Sequence, residues 1–279
     1  MPELPEAETI RRALAERVTM QRISSVEVLH PKVIEPLDAA SFRQAVQGAQ
    51  LTKMRRRGKY LLLDLDREGL LVVHLRMTGQ LHFIPPALKG EELPELLPHT
   101  HLILGMESGA QLRYVDVRRF GKVRYQRCPE EDETLAQLGP EPLDEDFTAS
   151  DLHAICLLHK AAIKAVLLDQ ALLAGLGNIY SDEALFLSGI HPERSAASLS
   201  EEEVVRLHEA IRFVLMESIE YRGSSLRDYC NIDGERGSYQ ERWRVYQQTG
   251  EPCPICATPI ERLRVRGRSS HFCPHCQRR

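Results

Sequence analysis

The sequence predicts a multidomain α+β protein that begins with a helix, continues as antiparallel β structure, and ends in helices and a cysteine-rich hairpin. Three observations support this prediction. Apolar residues repeat at helical spacing near the N-terminus and again beyond residue 150. Short apolar runs separated by Gly or Pro fill the first half, and two Cys-x-x-Cys pairs stand near the C-terminus.

The first element is a helix predicted over residues 5–18. Pro5 suits the first helical turn, and Ile10, Leu14 and Val18 form an apolar stripe on one helical face. Residues from about 22 to 127 are strand-like, and several short strands at this spacing indicate a sandwich or a barrel. The predicted strands are residues 60–65, 70–75, 80–84, 101–106, 110–115 and 122–125.

Residues 131–150 are acidic and contain Pro140 and Pro142, so we predict a linker there. The predicted domains on either side are residues 1–130 and residues 151–245, with a third element at 246–279. The pattern beyond the linker is helical. Two glycines before Asn178 indicate a tight turn followed by a helix that starts at this asparagine.

Composition limits the classes of protein to consider. The chain has 279 residues, 43% apolar and 27% charged, as in ordinary globular proteins. We expect no membrane span and no secretory signal, and therefore a cytoplasmic protein. Net charge is −4, yet residues 241–279 hold eight Arg and three Glu, and five of residues 53–59 are basic. These runs could bind a polyanion or could be solvated faces.

The spacing of four cysteines predicts one structural zinc ion. Two pairs of thiolates separated by sixteen residues match a closed four-sulfur site, although a redox dithiol or disulfides are alternatives. The predicted ligands are Cys253, Cys256, Cys273 and Cys276. The arginines between the pairs alternate, and we expect them on one strand face, either tracking phosphates or simply solvated. These arginines are Arg262, Arg264, Arg266 and Arg268.

The N-terminus offers a candidate nucleophile. Removal of Met1 would leave Pro2, a secondary α-amine that is partly unprotonated near neutral pH and able to attack an aldehyde-level carbon. Glu3 stands beside it and could transfer protons. The alternative is that Met-Pro-Glu is an ordinary chain start.

Six segments together resemble the formamidopyrimidine-DNA glycosylase family, whose members act on oxidised purines. The opening MPELPEAETIRR resembles the start of the family. The other segments, in family order, are RGKYLL at 57–62, HLRMTG at 74–79, DVRRFG at 116–121, GLGNIY at 175–180 and the terminal four-cysteine hairpin. The resemblance covers essentially the whole chain. It implies an N-terminal β-sandwich domain, a helix–two-turn–helix domain and a zinc finger.

The resemblance also assigns chemistry to residues. It implies that Pro2 attacks C1′ of the damaged nucleoside and forms a Schiff base, with Glu3 as the proton donor. Lys59 would assist base release and β-elimination, unless it is one more phosphate-binding cation. Arg268 would grip the lesion's phosphate and assist δ-elimination. The expected product is a one-nucleotide gap flanked by phosphates.

The expected partner is damaged double-stranded DNA, bound by a monomer without a small-molecule cofactor or a membrane. A flipped nucleotide leaves a void, and the resemblance assigns Met77, Arg118 and Phe120 to fill it. Core packing is the alternative for Met77 and Phe120. The residues predicted to contact the DNA backbone are His99, Arg119, Asn178 and Arg268, with His159 and Lys160 as weaker candidates. The weakly predicted base-pocket residues are Glu6, Ser224 and Ser225.

Two departures from the family pattern lie near the expected base pocket and the finger. Residues 224–229 read SSLRDY where Thr-Thr-Leu is frequent, and His271 stands where an aromatic residue is common. Three alternative functions remain. The first is an endonuclease VIII-type enzyme that prefers oxidised pyrimidines, although Leu4 resembles the purine branch. The others are a non-enzymatic zinc-ribbon DNA-binding protein and a zinc-stapled interaction module.

Overall fold

The computed structural model describes residues 2–225 and 229–279. Contacts divide the chain into two compact units, which are Met1–Ala136 with Arg222–Ser238, and Gln137–Tyr221 with Tyr239–Arg279. The first unit therefore includes a later segment of the chain as well as the N-terminal half. No described helix is both long and apolar enough to cross a bilayer.

The first unit is a helix followed by a two-sheet β structure. Helix α1 (Leu4–Val18) buries Ile10, Leu14 and Val18, the stripe expected from the sequence. The strands are β1 (Ile23–Val28), β2 (Leu51–Arg57), β3 (Tyr60–Leu65), β4 (Leu70–His74), β5 (Gly79–Ile84), β6 (Thr100–Met106), β7 (Gln111–Asp116) and β8 (Lys122–Gln126). Helix α2 (Ala39–Val46) lies between β1 and β2, and the short helix α3 (Glu133–Ala136) follows β8.

The eight strands form two antiparallel four-stranded sheets, with orders β1-β6-β7-β5 and β2-β3-β4-β8. Their apolar faces, with α1, enclose one core that includes Leu63, Val73, Leu104 and Leu112. The chain passes from one sheet to the other between β1 and β2, between β4 and β5, and between β7 and β8. Gly79 pairs with Asp116 in the β5–β7 ladder, so the β4–β5 loop ends and the β7–β8 loop starts at this pair.

The second unit is helical and ends in a β-hairpin. Its helices are α4 (Ala149–Leu157), α5 (Ile163–Leu167), α6 (Asn178–Ser188) and α7 (Glu201–Glu220). Helix α6 packs against α7 and against the final hairpin of β9 (Glu261–Val265) and β10 (Arg268–Phe272). Nine of the eleven residues of α6 are buried, so this helix is the core of the unit.

Candidate active site

The N-terminal segment is buried and is fixed to the start of α1. Pro2 is buried, and Glu3 is only 3% exposed. Glu3 is the N-cap residue of α1, and its backbone N–H donates to Glu6 Oε2 at 2.7 Å. The predicted nucleophile and proton donor are therefore held on a rigid support.

Glu6 also holds the predicted base-pocket segment. Its Oε1 accepts from the backbone N–H of Ser224 at 2.7 Å. Gly223, with φ of +81°, lies so close that an added Cβ would come within 2.8 Å of Glu6 Oε1. Ser225 Oγ donates to the carbonyl of Tyr229 and accepts from the N–H of Gly237. The three predicted pocket residues are thus brought together, while Leu226, Arg227 and Asp228 of the divergent stretch lie outside the described residues.

Lys59 lies in the two-residue turn between β2 and β3. It follows Gly58, whose φ of +55° is a conformation that glycine adopts without strain. Lys59 is only 8% exposed. A buried lysine has already lost much of its rotamer freedom. It therefore loses less conformational entropy on contacting a ligand than a lysine in solvent would.

His74 lies near Lys59 and was not among the site residues predicted from the sequence. It pairs with Tyr60 across the β3–β4 ladder, with ring centroids 4.4 Å apart. Burial, followed by the charges of Arg76, Lys59 and Arg124, lowers the pKa of His74 to about 3. The imidazole is therefore neutral beside the lysine. His74 is the last residue of a strand and the first residue of the HLRMTG segment. This position could have identified it as a site residue from the sequence.

The three predicted void-filling side chains contact one another in this unit. Arg118 Nη1 lies 3.1 Å from Met77 Sδ, and the Arg118 guanidinium lies over the Phe120 ring, 4.8 Å from its centroid. Met77 is 48% exposed and Phe120 is 54% exposed. Core packing therefore does not account for either residue. An exposed apolar cluster joined to a cation is suited to insertion between bases.

His99 and Arg119, two predicted backbone-contacting residues, flank this cluster. Both are exposed, and both have left-handed backbone conformations, with φ of +66° and +59°. Non-glycine residues rarely adopt this conformation, and those that do concentrate at functional sites.

Asn178 is the first residue of α6, one position later than a capping residue. The N-cap is Gly177, so this asparagine does not cap the helix. Within the described part of the chain, Asn178 Oδ1 is buried without a hydrogen-bond partner. His159 Nδ1 contacts the Ile155 carbonyl at 2.7 Å, and Lys160 is exposed.

The four terminal cysteines converge in the second unit. Their sulfurs lie within 4.8 Å of one another, and close pairs are separated by 3.4 to 3.9 Å. Zn–S bonds of about 2.3 Å in a tetrahedron place sulfurs about 3.8 Å apart, so the cluster fits one zinc ion. The ligand set is Cys253, Cys256, Cys273 and Cys276. Four thiolates leave no coordination position for substrate, and the ion is structural.

The arginines of the hairpin do not share one strand face. The prediction from their spacing, that all four lie on one face, is therefore wrong. The chain turns at Arg266 and Gly267, which have φ of +45° and +77°. Arg268 then opens β10 directly opposite Val265, on the other face from Arg264. The turn interrupts the period-two pattern and leaves Arg268 exposed beside the hairpin tip.

A buried ion pair anchors this hairpin to α6. Lys164 Nζ donates to Asp182 Oδ1 at 2.6 Å and to the Ser269 carbonyl at 2.8 Å. Asp182 also accepts from Ser270 Oγ and from the backbone and ring nitrogens of His271. The histidine that departs from the family pattern is thus a buried partner of this carboxylate. No local sequence pattern indicated the pair, because its members lie on separate elements.

Three family models together match most of the chain. The model described as the formamidopyrimidine-DNA glycosylase N-terminal domain matches residues 1–123, and the model of the H2TH domain of these enzymes matches residues 138–230. The model described as a zinc finger found in FPG and IleRS matches residues 250–279.

Full-length relatives and solved structures agree with these matches. The formamidopyrimidine-DNA glycosylase of Moorella thermoacetica is 51% identical over 267 residues and 95% of each chain, and that of Heliobacterium modesticaldum is 45% identical over the full length of both. A Lactococcus lactis FPG mutant in complex with Fapy-dG-containing DNA is 36% identical, with a TM-score of 0.90 and complete coverage of both chains. The MutM (FPG) protein of Thermus thermophilus is 41% identical, with a TM-score of 0.87 over 99% of this chain and 98% of its own. This chain belongs to the formamidopyrimidine-DNA glycosylase family.

Proposed function

We propose that this protein is a bifunctional DNA glycosylase and AP lyase of base excision repair that removes oxidised purines. The observation that carries the proposal is the buried Pro2–Glu3 segment, held by Glu6 through the Glu3 backbone N–H. A held α-amine next to a carboxylate is suited to attack on a sugar carbon that has been turned out of the duplex.

The first proposed step forms the covalent intermediate. The Pro2 nitrogen bonds to C1′ as the bond from C1′ to the damaged base breaks, and the base leaves with the bonding electrons and gains a proton. Opening of the sugar ring gives an iminium ion, with Glu3 transferring the proton that ring opening requires. A secondary amine has no second N–H to lose, so its iminium keeps a positive charge that favours elimination.

Two cations would assist the proposed eliminations. Loss of a C2′ proton expels the 3′ phosphate, and a second elimination expels the 5′ phosphate. We assign Lys59 to base release and the first elimination, and Arg268 to the lesion's phosphate and the second elimination. Hydrolysis of the iminium returns the Pro2 amine and leaves a one-nucleotide gap.

We assign DNA contacts to residues described above. His99, Arg119, Asn178 and Arg268 would contact phosphates, with weaker contributions from His159 and Lys160. Met77, Arg118 and Phe120 would occupy the void, and Glu6, Ser224 and Ser225 would border the base. The proposed domains are residues 1–130, 151–245 and 246–279, and a linker at 131–150 separates the first domain from the second.

The substrate class is supported by what related structures contain. Relatives have been solved with Fapy-dG, carbocyclic 8-oxo-G and abasic-site DNA, and also with oxidised-pyrimidine DNA. Because one related structure contains oxidised-pyrimidine DNA, a preference for oxidised pyrimidines is the second candidate function. We propose a monomer that works in the cytoplasm on the nucleoid, with one structural zinc ion and no small-molecule cofactor.

Borohydride trapping tests the mechanism. The enzyme is incubated with a duplex carrying one 8-oxoguanine opposite cytosine, reduced, and digested for mass spectrometry. We expect a covalent adduct at Pro2 and its loss or strong reduction in Pro2→Gly, with Pro5→Ala as the matched control because it alters the same turn and leaves the amine intact. An adduct only on an oxidised-pyrimidine duplex would favour the second candidate. Tight binding without any adduct would favour a non-enzymatic DNA-binding protein.

A further inference from the structure

Asp116 is a buried carboxylate at the point where the β4–β5 loop ends and the β7–β8 loop starts. It is 0% exposed and ends β7. Its Oδ1 accepts from Thr78 Oγ1 at 2.5 Å and from the N–H of Arg118 at 3.2 Å. Its Oδ2 accepts from the N–H of Gly121 at 2.8 Å and from Tyr114 Oη at 3.3 Å. One side chain therefore binds the β4–β5 loop and both ends of the β7–β8 loop.

Thr78 joins the two loops directly. Its hydroxyl donates to Asp116 and accepts from the N–H of Arg118 at 3.2 Å. Met77 precedes this threonine, Arg118 holds the bonded N–H, and Phe120 precedes the bonded Gly121. Each void-filling residue is thus within one residue of a bond to this carboxylate or hydroxyl.

The backbone of Asp116 extends the same arrangement to the predicted phosphate contacts. Its N–H donates to the carbonyl of His99 at 3.0 Å, and its carbonyl accepts from the N–H of Arg119 at 3.3 Å. Both of these residues have positive φ, as does Arg76 at the start of the β4–β5 loop. Several strained positions around one buried carboxylate indicate loops with a required conformation.

Close packing leaves little freedom beneath the loops. A Cβ at Gly79 would come within 2.7 Å of Tyr114 Oη, and a Cβ at Gly121 would collide with the same atom. The two glycines at which the loops rejoin the sheets are therefore pressed against one buried tyrosine.

We infer that Asp116 and Thr78 are positioning residues that hold the 76–78 and 117–121 loops as one preformed wedge, so that Met77, Arg118 and Phe120 enter the DNA together. The inference rests on the proposed function, because it assigns a role within the same DNA contact. Contacts already made before binding reduce the ordering cost of insertion. A wedge that has lost its link must order its loops during insertion, which slows excision from a duplex.

The test compares three substitutions in the full-length enzyme. Thr78→Val keeps the side-chain shape and removes the hydroxyl that links the loops. Thr78→Ser keeps the hydroxyl and should excise the lesion at close to the wild-type rate. Tyr114→Phe removes a hydrogen bond to the same carboxylate without cutting a link between loops, and it controls for a general loss of stability.

Two substrates separate the wedge from the chemistry. On a duplex with 8-oxoguanine opposite cytosine, we expect Thr78→Val to slow single-turnover excision about tenfold, as expected for loss of one or two hydrogen bonds. Fluorescence of a 2-aminopurine next to the lesion should rise correspondingly more slowly. Cleavage of a single-stranded abasic oligonucleotide, which has no void to fill, should stay within about twofold of wild type, below what one lost hydrogen bond would cause.

Three results would overturn the inference. These are unchanged duplex excision by Thr78→Val, an equal loss on both substrates, and an equal loss in Tyr114→Phe or Thr78→Ser. Failure of the wild-type enzyme itself to excise the lesion would instead count against the proposed function.

Discussion

Single residues in this protein act through the groups that surround them. His74 shows this most clearly, because its imidazole is buried among Arg76, Lys59 and Arg124. Its Nδ1 accepts from the N–H of Arg76 at 3.1 Å, which requires an unprotonated nitrogen. The neutral imidazole therefore adds no positive charge beside Lys59.

Acid should therefore destabilise the protein through His74. Burial lowers the folded-state pKa from 6.5 to about 3, so the unfolded chain binds this proton first as the pH falls. The free energy of unfolding should decrease between pH 6.5 and 3, by up to about 1.4 kcal/mol per pH unit for one group. His74→Asn keeps an acceptor near Arg76 and cannot take up the proton, so its unfolding free energy should fall less steeply. Denaturant melts from pH 7 to 5 measure the slope.

Glu8→Gln is the matched control because its effect falls in a different pH range. Burial opposes ionisation of Glu8, but hydrogen bonds from Arg11 and Arg12 lower its pKa to about 2. Its contribution to stability is present above pH 4.5 and is lost below that value. Identical slopes for the wild type and His74→Asn between pH 7 and 5 would contradict the assignment.

At the scale of elements, helix α6 organises the second unit through two adjacent carboxylates. Asp182 holds the β9–β10 hairpin, while Glu183 accepts from the backbone N–H groups of Arg244, Val245 and Tyr246. Burial raises the pKa of Glu183, and the three N–H groups and the charge of Arg244 oppose that shift. One helix thus anchors the hairpin and the segment that leads into it.

Breaking the Lys164–Asp182 pair should loosen the hairpin. Both side chains are 0% exposed, and removing one partner of a buried ion pair costs about 3–5 kcal/mol. We expect Asp182→Asn to lower the free energy of unfolding by this amount and to speed hydrogen exchange at the N–H of His271. Asp151→Asn, in an exposed capping box of α4, is the control. Equal effects of the two substitutions would argue against a special role for the pair.

Removal of one zinc ligand tests the finger. Cys256→Ser should abolish stoichiometric zinc and weaken DNA binding, because the hairpin that carries Arg268 depends on the four sulfurs. Cys128→Ser, a thiol outside the cluster, should keep one zinc per chain. Metal analysis and a DNA titration measure both effects, and full zinc content in Cys256→Ser would refute the ligand set.

At the scale of the whole molecule, the predicted phosphate contacts belong to both compact units. His99 and Arg119 lie in the first unit, and Asn178 and Arg268 lie in the second. The chain carries a net charge of −4, so attraction to DNA depends on where its cations lie and not on total charge.

DNA binding should weaken with added salt. Each neutralised phosphate contributes a slope of about −0.9 to log K against log salt, so Arg119→Ala and Arg268→Ala should each reduce the slope by about 1. Arg12→Ala removes an exposed arginine that is paired with Glu8 on α1, and it should leave the slope unchanged. Titrations of a lesion-containing duplex from 50 to 200 mM salt give the values. A flat wild-type response would contradict the phosphate contacts.

Local patterns in the sequence predicted most elements closely. The helix predicted at 5–18 is Leu4–Val18, the strand at 60–65 is Tyr60–Leu65, and a helix begins at Asn178. The patterns missed α2 and did not identify β1 and β2 as strands, because short amphipathic segments and a basic run lack clear periodicity. They also placed Arg268 on the wrong strand face, since a two-residue turn interrupts the alternation.

The sequence by itself determined the family, the zinc ligands and the candidates for the chemistry, because each depends on residue types at short, regular spacings. Only the tertiary structure decided how those candidates are held. Glu6 reaches Ser224 from 218 residues away, Lys164 reaches Ser269 from 105, and Thr78 meets Asp116 from 38. Periodicity indicates which side chains are buried, but strand register and helix packing decide which of them meet.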